Sequence, residues 1–118
     1  MRVLALVCGL LAVWASAASA TGTVRVAIVE STRQAELQGA EIDVSEPAGC
    51  PSCPGPGWRT DVVRAVWVSG AVEIEGRRGG VFRLRSERPI RLNGREYPAV
   101  LELVGTAQGI AIVNELPL

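Results

Sequence analysis

Ile90-Arg91-Leu92-Asn93-Gly94-Arg95-Glu96-Tyr97-Pro98-Ala99-Val100-Leu101-Glu102-Leu103-Val104 is the stretch on which the fold turns. Asn-Gly supplies two residues that tolerate positive φ, with apolar positions on either side, and such a pattern predicts a β-hairpin. One arm holds Ile90 and Leu92, and the returning arm is expected from Tyr97 to Val104. Thr106-Ala107-Gln108-Gly109 then turns the chain into a last strand at Ile110 to Val113.

Upstream of the hairpin the same period-two alternation recurs. Val81 to Arg85 places Phe82 and Leu84 inward with Arg83 and Arg85 outward, and Arg77-Arg78-Gly79-Gly80 before it is expected to be a turn. Ala71 to Glu75 sets Val72 and Ile74 against Glu73 and Glu75, and Thr60 to Val68 sets Val63, Ala65 and Trp67 against Val62, Arg64, Val66 and Val68. Ala35 to Val44 reads as a strand interrupted at Gly39, which predicts a bulge or a break. Thr23 to Val29 is a β-branched first strand. No stretch from residue 21 onward carries an i, i+3, i+4, i+7 apolar stripe. The expected fold is therefore all-β, a meander of about six to eight short antiparallel strands forming a sandwich or an open barrel.

Between the second and third strands the composition changes. Residues 45–58 hold the Cys50-Pro51-Ser52-Cys53 pair among prolines and glycines, which neither ladder into a sheet nor continue a helix. A surface loop is expected there, stapled by a Cys50–Cys53 disulfide. A thioredoxin-like redox pair would have to open a helix, which Pro54-Gly55-Pro56-Gly57 forbids. Zinc would need four ligands, and two cysteines in a chain without histidine do not supply them.

The first twenty residues bear on location. Arg2 followed by the apolar run Val3 to Trp14 and by Ala18-Ser19-Ala20 is the pattern of a signal peptide cleaved after Ala20. The run is shorter than the ~20 residues that span a bilayer, so no transmembrane anchor is expected after cleavage. Cys8 sits inside the apolar run, which argues against a lipid-modified cysteine. The protein is expected to be exported, to a periplasmic, cell-wall or extracellular site, as one β-rich unit over residues 21–118.

The residue inventory limits the chemistry. The chain has 12 basic and 12 acidic residues and 0 histidines, and every basic residue is arginine. Balanced charge gives no general case for nucleic acid, and the commonest general base and metal ligand are both missing. No cofactor or metal set is expected, and no catalytic constellation is found. Glu41 with Asp43, and Glu73 with Glu75, lie two apart on single strands, hence about 6.6 to 6.8 Å apart. That is the low end of the roughly 6.5 to 9.5 Å of an inverting glycosidase pair. Neighbours on one exposed face share one environment, however, and a solvated face is the simpler account. Seven arginines crowd between Arg77 and Arg95 with Glu87 among them. Of these, Arg77, Arg78, Arg83 and Arg85 are candidates to grip an anionic ligand, the alternative being an edge protected by charge.

One resemblance extends these readings. The hairpin Gly94-Arg95-Glu96-Tyr97-Pro98-Ala99-Val100-Leu101-Glu102-Leu103, followed by Val113-Asn114-Glu115-Leu116-Pro117-Leu118, resembles the region before the core of the stage II sporulation protein D / amidase enhancer (SpoIID/LytB) family. In that family a G-x-x-Y-x-x-x-L-E-L hairpin is followed by V-N-E-L-P-L-E-D-Y-L and then by the segment with the catalytic glutamate. Val24-Arg25-Val26-Ala27-Ile28 is similar to the family's first strand. The resemblance implies an exported protein of sporulation or cell-wall remodelling that acts on peptidoglycan as a lytic transglycosylase, or that enhances a wall amidase. It implies peptidoglycan or another anionic wall polymer as partner. The residues here correspond to an N-terminal β-rich portion that stops before the catalytic glutamate, so no catalytic residue is carried over, and Glu115 corresponds to the boundary motif. The cysteine loop is a departure from the family pattern. The rival expectation is a small secreted β-domain that binds an anionic wall or surface ligand through the arginines.

Overall fold

The computed structural model describes residues 22–47, 57–98 and 100–118. Their strands are β1 (Thr23–Thr32), β2 (Gln34–Ser45), β3 (Gly57–Val68), β4 (Ala71–Ile74), β5 (Arg77–Gly79), β6 (Val81–Arg85), β7 (Ile90–Leu92), β8 (Arg95–Tyr97), β9 (Val100–Gly105) and β10 (Ile110–Pro117). All pair antiparallel in one ten-stranded sheet of order β1-β10-β9-β6-β2-β3-β4-β5, with β7 pairing to β2 and β8. The all-β expectation holds, with ten strands among the described residues instead of six to eight, in a sheet that does not close into a barrel. Among the described residues no helix is long and apolar enough to cross a membrane.

The core follows from alternation. Val63, Ala65, Val72, Ile74, Phe82 and Leu84 turn to one side with Leu101, Leu103, Ile110 and Ile112, and all are buried. Trp58 packs against this core, its ring edge-to-face with that of Phe82 at a centroid separation of 6.2 Å. The sheet bends over its own core, because Trp67 Nε1 donates to the carbonyl of Thr106 at 2.8 Å and the Ser69-Gly70 turn lies against Gly105.

Three differences from the expected strands have local causes. First, the chain turns at Glu75-Gly76, between β4 and β5, and not over Arg77–Gly80. Glu75 and Gly76 have φ of 51° and 81°, the positive pair of a type I′ turn, and Arg77–Gly79 continues as a strand against β4. Second, the hairpin turns at Asn93-Gly94 as expected, but its returning arm divides into β8 and β9. Pro98 sits at the division, without an amide to ladder. Third, the 45–58 loop is shorter at both ends, since Ser45 pairs with Gly57 and Val44 with Trp58. Cys50 and Cys53, and the signal segment with Ala20, lie outside the described residues.

The bulge expected at Gly39 is present. Between Gln38 and Ile42 the register with β3 shifts, and Glu41 takes φ of 54°. The irregularity reverses which side of β2 faces inward, so Leu37 and Ile42 are both fully buried although five positions apart. The two halves of β2 then serve different neighbours, β7 at Leu37 and Gln38, and β6 at residues 43–45.

Candidate functional site

On the sheet face opposite the core, four charged side chains meet across four strands. Arg83 on β6 stands directly opposite Glu102 on β9, and Arg25 on β1 directly opposite Glu115 on β10. Because Leu101 and Leu103 point into the core, strand geometry sends Glu102 to the other face, where it is 8% exposed. Both of its oxygens are occupied: Arg25 Nη2 donates to Oε1 at 2.6 Å and Arg83 Nη1 to Oε2 at 2.9 Å. Glu115 Oε1 lies 3.2 Å from Arg83 Nη1 and 3.6 Å from Arg25 Nη1. The hydrogen bond to Glu102 raises the Arg25 pKa above its ordinary value; the charge of Glu102 and then of Glu115 act in the same direction, and desolvation opposes them. Two arginines and two carboxylates balance, so the cluster is a clamp between the first strand and the sheet. A carboxylate with both oxygens held by guanidinium groups is not poised to take a proton from a substrate.

Asn114 is the clamp's neighbour in the chain and faces the core side. It is 4% exposed, and its side-chain amide donates to the carbonyls of Pro98 at 2.8 Å and Val100 at 3.0 Å. The Asn114-Glu115 pair thus ties the chain to the β8–β9 break on one face and to Arg25 and Arg83 on the other.

The arginines singled out from sequence lie on two strands that do not pair with each other. Arg77 and Arg78 lie on β5, Arg83 and Arg85 on β6, and these strands have different hydrogen-bonded neighbours. The Arg77 guanidinium sits 4.3 Å over the Trp58 ring, Arg78 lies 3.9 Å from Glu73, and Arg83 belongs to the clamp. Arg83, expected to point outward into solvent, is half-buried for that reason. Arg85 is exposed and forms no ion pair among the described residues.

The carboxylate pairs are likewise placed. Glu41 and Asp43 line a polar cleft of about 340 Å³ with Ala40, Arg59, Glu87 and Arg88. Arg59 reaches both, at 2.9 Å to Asp43 and 3.4 Å to Glu41, and its pKa is raised chiefly by the hydrogen bond to Asp43. One cation shared between two exposed carboxylates gives them no contrast in environment, which an acid/base couple needs. Glu73 and Glu75 do not share a strand face, because Glu75 is in the β4–β5 turn.

A pattern hidden in the sequence joins these observations. Arg25 with Glu115, Glu36 with Arg64, Asp43 with Arg59, Glu73 with Arg78, Arg83 with Glu102, and Arg91 with Glu96 are each direct register partners and each lie within ion-pair distance. Strand pairing had to be known before the pattern could be seen. Opposite charges placed directly across a ladder favour one register over its slipped alternatives. No protein-family model, curated protein or solved structure matches this chain.

Proposed function

We propose that these residues form the β-rich N-terminal scaffold of an exported, SpoIID/LytB-like protein of the cell wall, and that the scaffold carries no catalytic group of its own. The observation that carries this reading is the use made of Asn114 and Glu115. The segment resembling the family's V-N-E-L-P-L boundary is the last strand of the sheet, and its two polar side chains hold structure together on opposite faces. Glu115 is enclosed by Arg25 and Arg83 and is unsuited to act on a glycan. Such a part would position a peptidoglycan-cleaving or amidase-enhancing segment, with the wall polymer as ultimate partner. The rival, an anionic ligand held by the arginines, has less support, since Arg78 and Arg83 face carboxylates of their own chain and Arg77 lies on Trp58.

The reading frame beyond Leu118 tests the proposal. A continuation of the Glu-Asp-Tyr-Leu type, leading to a segment with a glutamate, is the expected result. A stop codon directly after Leu118 would overturn it.

A further inference from the structure

The two ends of the sheet differ sharply. At one end β5 is three residues long and carries Arg77 and Arg78, a charged and short edge of the kind that resists further pairing. At the other end β1 runs for ten residues, pairs among the described residues only with β10, and leaves Val24 and Val26 exposed at 39% and 42%. The Leu118 amide donates to the Gly22 carbonyl at 3.1 Å, which fixes the alternation along this strand. Gly22, Val24 and Val26 turn their backbone groups to β10, so Thr23, Arg25 and Ala27 turn theirs to the open edge.

The charges on this edge are self-complementary. Arg25 is on the face opposite the core, a bulge between Ala27 and Val29 brings Val29 to the core side opposite Ile112, and a second register shift between Val29 and Thr32 keeps Thr32 on that side opposite Ile110. Glu30, next along, then shares the face of Arg25; it is exposed and forms no ion pair among the described residues. When β1 is laid antiparallel on a second β1 about its first bulge, Ala27 falls opposite Ile28. That register sets Arg25 opposite Glu30 on one face and Val26 opposite Val29 on the other. Without the first bulge this register would place side chains from opposite faces against each other; with it the faces agree from Arg25 to Glu30, and the second shift ends the match before Thr32.

We propose that β1 is a self-pairing edge: two copies of the chain join antiparallel along β1 about a twofold axis, with Arg25 of each opposite Glu30 of the other. The contact is isologous, so each Arg–Glu pair occurs twice, and the blunted β5 edge ends the assembly at a dimer. The second copy also covers Val26.

Light scattering on the purified, exported chain across a dilution series tests this, with Glu30→Arg and Ala27→Pro as variants. Glu30→Arg turns both ion pairs into like-charge pairs and is expected to raise the dimer Kd about tenfold or more. Ala27→Pro removes an open-edge amide without touching the β10 ladder and is expected to give a monomer. Both variants should keep the wild-type far-ultraviolet circular dichroism. A wild-type chain that stays monomeric at all concentrations would overturn the proposal and leave the edge to a strand of another protein. A dimer unaffected by both variants would overturn it as well.

Discussion

Glu102 is held by two guanidinium groups at once. It is nearly buried, whereas Glu36 and Arg64 face each other at 3.9 Å on an open surface. Removing one partner of an enclosed pair leaves uncompensated charge, and removing one partner of an exposed pair costs little. Glu102→Ala is therefore expected to destabilise the fold by about 2 kcal/mol, since Arg25 and Arg83 remain partly solvated, and Glu36→Ala by less than about 0.5 kcal/mol. Urea unfolding of the two variants checks this, and equal costs would contradict the clamp. The raised Arg25 pKa has a definite sign: its stabilisation is complete below the ordinary arginine value and is lost only as pH rises beyond it. At this scale the sequence was least legible. Glu102 sits in an apolar run and looks like any strand residue until its partners on β1 and β6 are known. Asn114 was readable only as part of a motif, and not as the tie to Pro98 and Val100.

At the scale of the elements, three two-residue turns share one chemistry. Ser69-Gly70, Glu75-Gly76 and Asn93-Gly94 each put both residues at positive φ, at 50° and 88°, 51° and 81°, and 53° and 80°. Only Asn-Gly was legible in the sequence, because asparagine tolerates that region and serine and glutamate less so. The cost of the unusual first residue is testable at Glu75. Glu75→Asn is expected to stabilise the β4–β5 hairpin by a few tenths to about 1 kcal/mol, and Gly76→Ala to destabilise it by about 1 to 2 kcal/mol. Thermal unfolding reads both, and a neutral Gly76→Ala would contradict the turn assignment. Strand interiors were more legible. Val63, Ala65, Phe82 and Leu84 are inward as alternation required, and the bulge at Gly39 was foreseeable because glycine weakens a strand interior.

For the whole molecule, all-β character was legible from period-two alternation, whereas strand order was not. β1 pairs with β10 and β6 with β2, contacts between distant parts of the chain for which alternation gives no address. The cross-strand Arg–carboxylate pairs supply part of that address. We propose that this sheet is a scaffold whose enclosed acidic side chains hold structure. The most direct test is incubation of the purified chain with denuded glycan strands, followed by mass spectrometry of the soluble products. The account predicts no anhydro-sugar products above the level of a buffer control; their release by these residues alone would contradict it.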